Sequence, residues 1–305
     1  MSPVSTPYPI GTPGQPWGQA ELAAWRPRQR CRRSYADDVL AQLLRPRAGW
    51  DCLHYGELAY GSGRWPLHAL RSQGWSERLP SVLVTGGVHG YETSGVLGAL
   101  RFVDAHAGAY LGRANLLVVP CVSPWGYERV QRWNHDAIDP NRSFRPGSPA
   151  QESAALMALV ARHGGPWAAH IDLHETTDSD EDEFRPALAA RDGKPFVPGS
   201  VPDGFYLVDD TEHPAPAFQQ AIIDAVARVT HIAPADAQGC IIGSPVVAPG
   251  VIRYALKALG LCAGITGARC VSTTEVYPDS ARTTAQECNA AQAAAVCAAV
   301  DYVLA

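Results

Sequence analysis

Short apolar runs alternate with stretches whose apolar residues recur at helical spacing. Residues 81–85 and 114–120 read as buried strands, because each is a brief, nearly continuous apolar run, and further strands are expected through 168–173 and 270–276. Residues 51–59 and 65–70 read as a strand pair turning through Gly61-Ser62-Gly63. Residues 93–105 carry Val96, Leu97, Leu100 and Val103 on one helical face. Further helices are predicted over 35–44, 152–162 and 217–229, and from about Thr283 onward. Strands alternating with helices predict an α/β fold, a mostly parallel sheet covered on both faces. No repeat and no Ser/Gly-rich linker divides the chain, so a single domain over residues 36–305 is expected, after an irregular N-terminal arm over 1–35.

Charge and composition narrow the function. The chain has 305 residues, of which 46% are apolar, enough for a sizeable core. Lys and Arg number 25 against 30 Asp and Glu, a net charge of −5, which argues against a nucleic-acid partner. No apolar run reaches membrane-span length, so no membrane partner is expected. Residues 1–19 are rich in Pro and Gly and lack a signal-peptide pattern. None of the eight cysteines forms a C-x-x-C pair. Together these features predict a cytoplasmic protein with reduced thiols. The arm ends in a basic cluster of Arg26, Arg28, Arg30, Arg32 and Arg33, read as a solvated face or as packing on an acidic surface.

The candidate chemistry sits at strand ends. His89-Gly90-Tyr91-Glu92 follows the run from Ser81 to Val88, and His174 follows the strand predicted over 168–173. In an open α/β sheet, ligands bind beyond the carboxyl ends of the strands. Two histidines and a glutamate at one sheet edge would make a His₂Glu metal set with a position open for water. Each of the other histidines is read as structural. Gly86, Gly87 and Gly90 lack the Gly-Lys-Ser/Thr that completes a phosphate loop, and are read as room for the backbone to turn.

Between these ligands lies Asp139-Pro140-Asn141-Arg142-Ser143-Phe144, and Thr273-Thr274-Glu275-Val276-Tyr277 comes near the C-terminus. In this order, from about residue 50 to the end, the set resembles the zinc carboxypeptidase family. The resemblance implies a single α/β domain with a mixed, mostly parallel, eight-stranded twisted sheet and helices on both faces. It also implies one Zn²⁺ per chain on His89, Glu92 and His174, with Glu275 as general base toward a zinc-activated water. Asn141 and Arg142 would bind the substrate's free carboxylate, a group that guanidinium grips bidentately. Arg132 would stabilise the developing oxyanion, and Asp139 would orient a ligand histidine. The family's mobile tyrosine has three candidates: Tyr254, nearest in spacing, Tyr206 and Tyr277.

These features predict a metallopeptidase that cleaves a peptide or amide bond beside a free carboxylate. Aspartoacylases and succinylglutamate desuccinylases, which deacylate N-acyl amino acids, share the zinc and D-x-N-R motifs and are the main alternative. Their catalytic glutamate comes earlier, whereas Glu275 lies far beyond His174 and close to Ala305, which favours the carboxypeptidase layout. Cell-wall peptide hydrolysis and a non-catalytic binding role are further alternatives. The acidic run from Asp178 to Glu183 is read as a solvated loop, or else as a cleft border that attracts a cationic group.

Overall fold

The computed structural model describes residues 8–305. Strands β1 (Trp50–Tyr60) and β2 (Gly63–Ser72) form the long antiparallel pair foreseen from the alternation. They are followed by β3 (Ser81–Gly86), α3 (Thr93–Ala105), β4 (Asn115–Val119), α4 (Pro124–Arg129), α5 (Gln151–His163) and β5 (Trp167–Glu175). Then come α6 (Arg185–Arg191), β6 (Tyr206–Asp210), α7 (Pro216–Val226), the small pair β7 (Cys240–Ile241) and β8 (Ser244–Pro245), β9 (Val251–Tyr254), β10 (Cys270–Val276) and α8 (Ala285–Leu304). Two short helices precede them all, α1 (Gln19–Trp25) and α2 (Ala41–Leu43).

The main sheet has eight strands in the order β1-β2-β4-β3-β5-β10-β6-β9. Its centre, β4-β3-β5-β10, is parallel throughout, and antiparallel pairs lie toward both edges. The central strands are buried along almost their whole length, as strands covered on both faces must be. Helices α3, α7 and α8 pack together over one face, while α5 and the turn Cys262–Ile265 lie over the other. Helix α8 starts at Ala285, two residues into its predicted range, because Thr284 caps it. The Thr284 hydroxyl accepts the Glu287 N–H at 3.2 Å, and the Glu287 carboxylate accepts the Thr284 N–H at 2.9 Å. No helix among the described residues is long and apolar enough to cross a membrane.

The N-terminal segment departs from the irregular arm expected over 1–35, of which residues 1–7 lie outside the described part. It contains α1, and Trp25 at the end of that helix is only 1% exposed. The Trp25 ring lies 5.9 Å from Trp133 and 6.3 Å from Trp125, and Trp17 meets Trp133 edge-on at 6.1 Å. The Trp17 N–H donates to Arg191 O at 2.8 Å, tying the segment to the end of α6. Proline and glycine spacing hid this packing, because the anchors are isolated aromatics rather than a periodic stripe.

Trp25→Ala is therefore expected to lower the unfolding free energy by about 3–5 kcal/mol, as large aromatic truncations in a core do. Urea denaturation followed by far-UV circular dichroism measures it; an unchanged midpoint would mean the segment is not part of the packed body.

Candidate metal centre

Strands β3 and β5 run parallel in a register that pairs Thr85 with Asp172 and Gly86 with Leu173. Their carboxyl ends therefore finish side by side. The chain leaves β3 through Gly87, whose φ of +58° suits glycine, and delivers His89 and Glu92 before α3 begins at Thr93. Strand β5 delivers His174 at its end. The first amides of α3 are held by the next residue of β5: Ser94 N–H and Thr93 N–H donate to the Glu175 carboxylate at 2.7 and 3.1 Å. One strand thus places a candidate ligand and fastens the turn carrying the other two.

The three predicted ligands come together. His89 Nδ1 lies 2.7 Å from Glu92 Oε1, and His174 Nδ1 lies 2.7 Å from Glu92 Oε2. All three side chains are almost fully buried. Despite its short distance to His174, Glu92 Oε2 has no partner of hydrogen-bonding geometry. Such a buried, unsatisfied acceptor facing two imidazole nitrogens fits a cation-binding donor set. Each Nε2 is engaged on the far side of its ring. His89 Nε2 stands 2.9 Å from Asp139 Oδ1, and His174 Nε2 stands 2.8 Å from Asp172 Oδ2. This leaves both Nδ1 atoms for a metal, the arrangement that outer carboxylates impose on ligand histidines.

The electrostatics follow from burial and pairing. Burial works against ionising Glu92, but His174 and His89 overcome it and hold the carboxyl down to about 2. Burial likewise opposes the His174 imidazolium, yet Glu92 and Asp172 raise its pKa well above the ordinary value. Asp139 is driven well below the usual carboxylate range against the burial penalty, chiefly by Arg132 and then by His89. A second close set, His170, Asp172 and Cys262, lies beneath the first. The Thr85 hydroxyl occupies its centre, 2.6 Å from Asp172 Oδ1, 2.9 Å from His170 Nε2 and 3.6 Å from Cys262 Sγ. The Thr85 hydroxyl thus fills the space between the three side chains, although His170 Nδ1, on the far side of its ring, has no hydrogen-bond partner among the described residues.

Around the triad opens a cavity of about 660 Å³, lined among others by His89, Arg132, Asn141, Arg142, Tyr206 and Glu275. Glu275 stands beside His174 in the β5–β10 register and accepts the Thr176 hydroxyl at 2.9 Å. Burial, and after it the neighbouring Glu92 charge, pushes its carboxyl up to about 8, although His174 pulls the other way. Among the described residues, Arg142 donates only to the carbonyl of Asn141, at 2.7 Å, and makes no ion pair. Asn141 is more committed than the resemblance implied. Its Oδ1 accepts the Cys262 N–H at 2.7 Å, and its Nδ2 lies 3.3 Å from His174 Nε2. Because Asp172 takes the Nε2 proton of His174, the Asn141 NH₂ has no acceptor there, and only that group is free for a substrate.

Arg132 is clamped between two carboxylates. Its Nε donates to Asp139 Oδ2 at 3.2 Å and its Nη1 to Asp180 Oδ1 at 3.3 Å. The Tyr91 hydroxyl donates to both Asp180 oxygens, at 3.0 and 3.1 Å. Asp180 corrects the reading of residues 178–183 as a solvated loop: it is 7% exposed and lines the cavity. Of the three candidate tyrosines, Tyr206 and Tyr254 line the cavity. Tyr277 does not; it donates to Asp178 Oδ1 at 2.8 Å in an exposed position. Asp180 bears out the alternative reading of the acidic run as a cleft border, whereas the contributions of Thr85, Asp172 and Thr176 went unread in the sequence, although the alternation of β5 places Asp172 on the same face as His174.

Residues 78–183 match the model of the succinylglutamate desuccinylase/aspartoacylase catalytic domain. No curated protein shows significant similarity to the chain. Among solved structures, a candidate metallopeptidase from Shewanella amazonensis is 23% identical with a TM-score of 0.64, the match covering 84% of this chain and 87% of that one. A metallo-carboxypeptidase from Pseudomonas aeruginosa, solved with (2-guanidinoethylmercapto)succinic acid, is 15% identical at TM-score 0.56, over 95% of this chain and 70% of that one. Carboxypeptidase A from Helicoverpa armigera is 12% identical at TM-score 0.57, over 95% and 74%. The fold is that of the zinc carboxypeptidases.

Because Glu92 and Asp172 hold a proton on His174, zinc uptake at neutral pH must expel it. Calorimetric titration in buffers of different ionisation enthalpy should show about one proton released per zinc at pH 7, with affinity falling as pH drops. Zinc binding without proton release would contradict the assignment of His174.

Proposed function

We propose that this chain is a zinc-dependent hydrolase of the carboxypeptidase type, cleaving a peptide or amide bond beside a free carboxylate. The observation that carries this reading is one cavity that reaches the convergent metal donors through His89 and is lined by a carboxylate of raised pKa and by the Arg142 guanidinium. His89, Glu92 and His174 would hold the zinc, which supplies a Lewis acid that activates water and polarises the scissile carbonyl.

Glu275 is the group to take a proton from the attacking water and return it to the leaving amine. The Thr176 hydroxyl holds one of its oxygens and leaves the other for that water. Arg142 anchors the substrate carboxylate, and the free NH₂ of Asn141 stands on the same wall. Arg132, already oriented by Asp139 and Asp180, offers a fixed positive charge to the developing oxyanion without reorganising at the moment of reaction. The free carboxylate is in keeping with the succinic-acid derivative held by the P. aeruginosa neighbour.

A second reading, deacylation of N-acyl amino acids, is favoured by the family match over residues 78–183, which spans the metal turn, Arg132, Arg142 and Asp180. Both readings use the same zinc and carboxylate anchor. They differ in what lies on the acyl side of the bond. Parallel assays of the zinc-loaded protein on N-blocked dipeptides and N-acyl amino acids distinguish them. Preferred cleavage of the dipeptides supports the carboxypeptidase reading; turnover confined to the N-acyl amino acids would replace it with the second.

Glu275→Gln should lower kcat by about 10²–10⁴-fold, the usual range for loss of a general base, while zinc content stays unchanged. Retained turnover would remove Glu275 from that role. Arg142→Lys keeps a charge but loses the planar fork, so KM should rise for substrates with a free carboxylate and stay level for their amides. Equal effects on both would exclude Arg142 as the anchor.

A further inference from the structure

The metal turn is fastened from outside the sheet by one guanidinium, that of Arg33. Its Nη2 donates to the carbonyl of Gly90, between the candidate ligands His89 and Glu92. Its Nη1 donates to the Thr93 hydroxyl at 2.7 Å, on the first residue of α3. Its Nε donates to the carbonyl of Tyr127 at 2.6 Å, in α4. The guanidinium carbon also lies 3.7 Å from the centroid of the Tyr127 ring. The backbone is tied to the same helix, since the Arg32 and Arg33 N–H groups donate to Glu128 O at 2.7 and 3.2 Å.

None of these acceptors is a carboxylate, so ion pairing does not account for the placement of the charge. The three side-chain bonds join three elements that meet at one crowded point. A Cβ on Gly90 would fall 2.0 Å from the backbone carbon of Gly126, so the metal turn presses backbone to backbone on α4. Arg33 spans that contact. Fixing the Gly90 carbonyl fixes the peptide plane between the two ligand-bearing residues, and fixing Thr93 sets where α3 begins. Outer groups of this kind tune metal affinity through the ligands they orient.

We infer that Arg33 is a positioning residue for the candidate metal centre, holding the His89–Glu92 turn in its metal-binding geometry. This rests on the metal reading above. The test is the zinc dissociation constant, measured by competition with a chelating dye, for wild type, R33Q, R33K and R26Q. R26Q is the control, because Arg26 pairs with Asp136 at 3.0 Å from the same segment without touching the turn. R33Q should weaken zinc binding by about tenfold or more, in the range seen for lost outer partners. R33K, which cannot reach all three acceptors, should fall between R33Q and wild type, and R26Q should match wild type.

Wild-type affinity in R33Q would overturn the inference. So would an equal loss in R26Q, because general packing of the segment would then explain it. If R33Q fails to fold, R33K decides against R26Q in the same way. A wild-type chain that takes up no zinc would overturn the metal reading and this inference together; zinc binding unaffected by R33Q would overturn this inference alone.

Discussion

A buried carboxylate with two oxygens turned toward two imidazoles is the constraint from which the rest of the site follows. Removing the Glu92 charge from water is costly unless cations or hydrogen bonds replace the lost solvent. The structure answers with alternating charge on both sides. Toward one side run His89, Asp139, Arg132 and Asp180; toward the other run His174, Asp172 and Thr85. Each member orients the next, and the two Nδ1 atoms are left facing the same carboxylate. The outer partners therefore stabilise the buried charges and also leave both Nδ1 atoms turned toward Glu92.

The parallel sheet makes this arrangement reachable. Strands β3, β5 and β10 end on one edge, so their last residues meet without long loops. Helix α8 closes the back of the site through Gln292, whose Nε2 donates to His174 O at 2.8 Å and whose Oε1 accepts the Thr274 hydroxyl. A single amide thus ties β5 to β10 at the level where His174 and Glu275 stand side by side. The same closeness explains the raised pKa of Glu275, which is partly withdrawn from water and faces the Glu92 carboxylate.

Much of this was legible in the chain. Strands β3 and β4 read as apolar runs because both faces are covered, and α3 read cleanly because its buried stripe is regular. The ligand set was legible because each histidine follows a strand. The short strands β6 and β9 were missed: β6 ends in Asp209-Asp210, and β9 has too few residues to show a period. Asp180 and Arg33 were hidden for a different reason. Each sits in a run of like charge, and a run gives no sign of which member turns inward. That choice is made by tertiary contacts, the pull of Arg132 and Tyr91 on Asp180 and of three neutral oxygens on Arg33.

The central claim is that His89, Glu92 and His174 form the metal site. X-ray absorption at the zinc edge of the zinc-loaded protein tests it most directly. The account predicts nitrogen and oxygen ligands at about 2.0–2.2 Å and no sulfur, lost together with the zinc on His174→Ala. A sulfur ligand at about 2.3 Å, as Cys262 in the second cluster would supply, or zinc retained without His174, would contradict it.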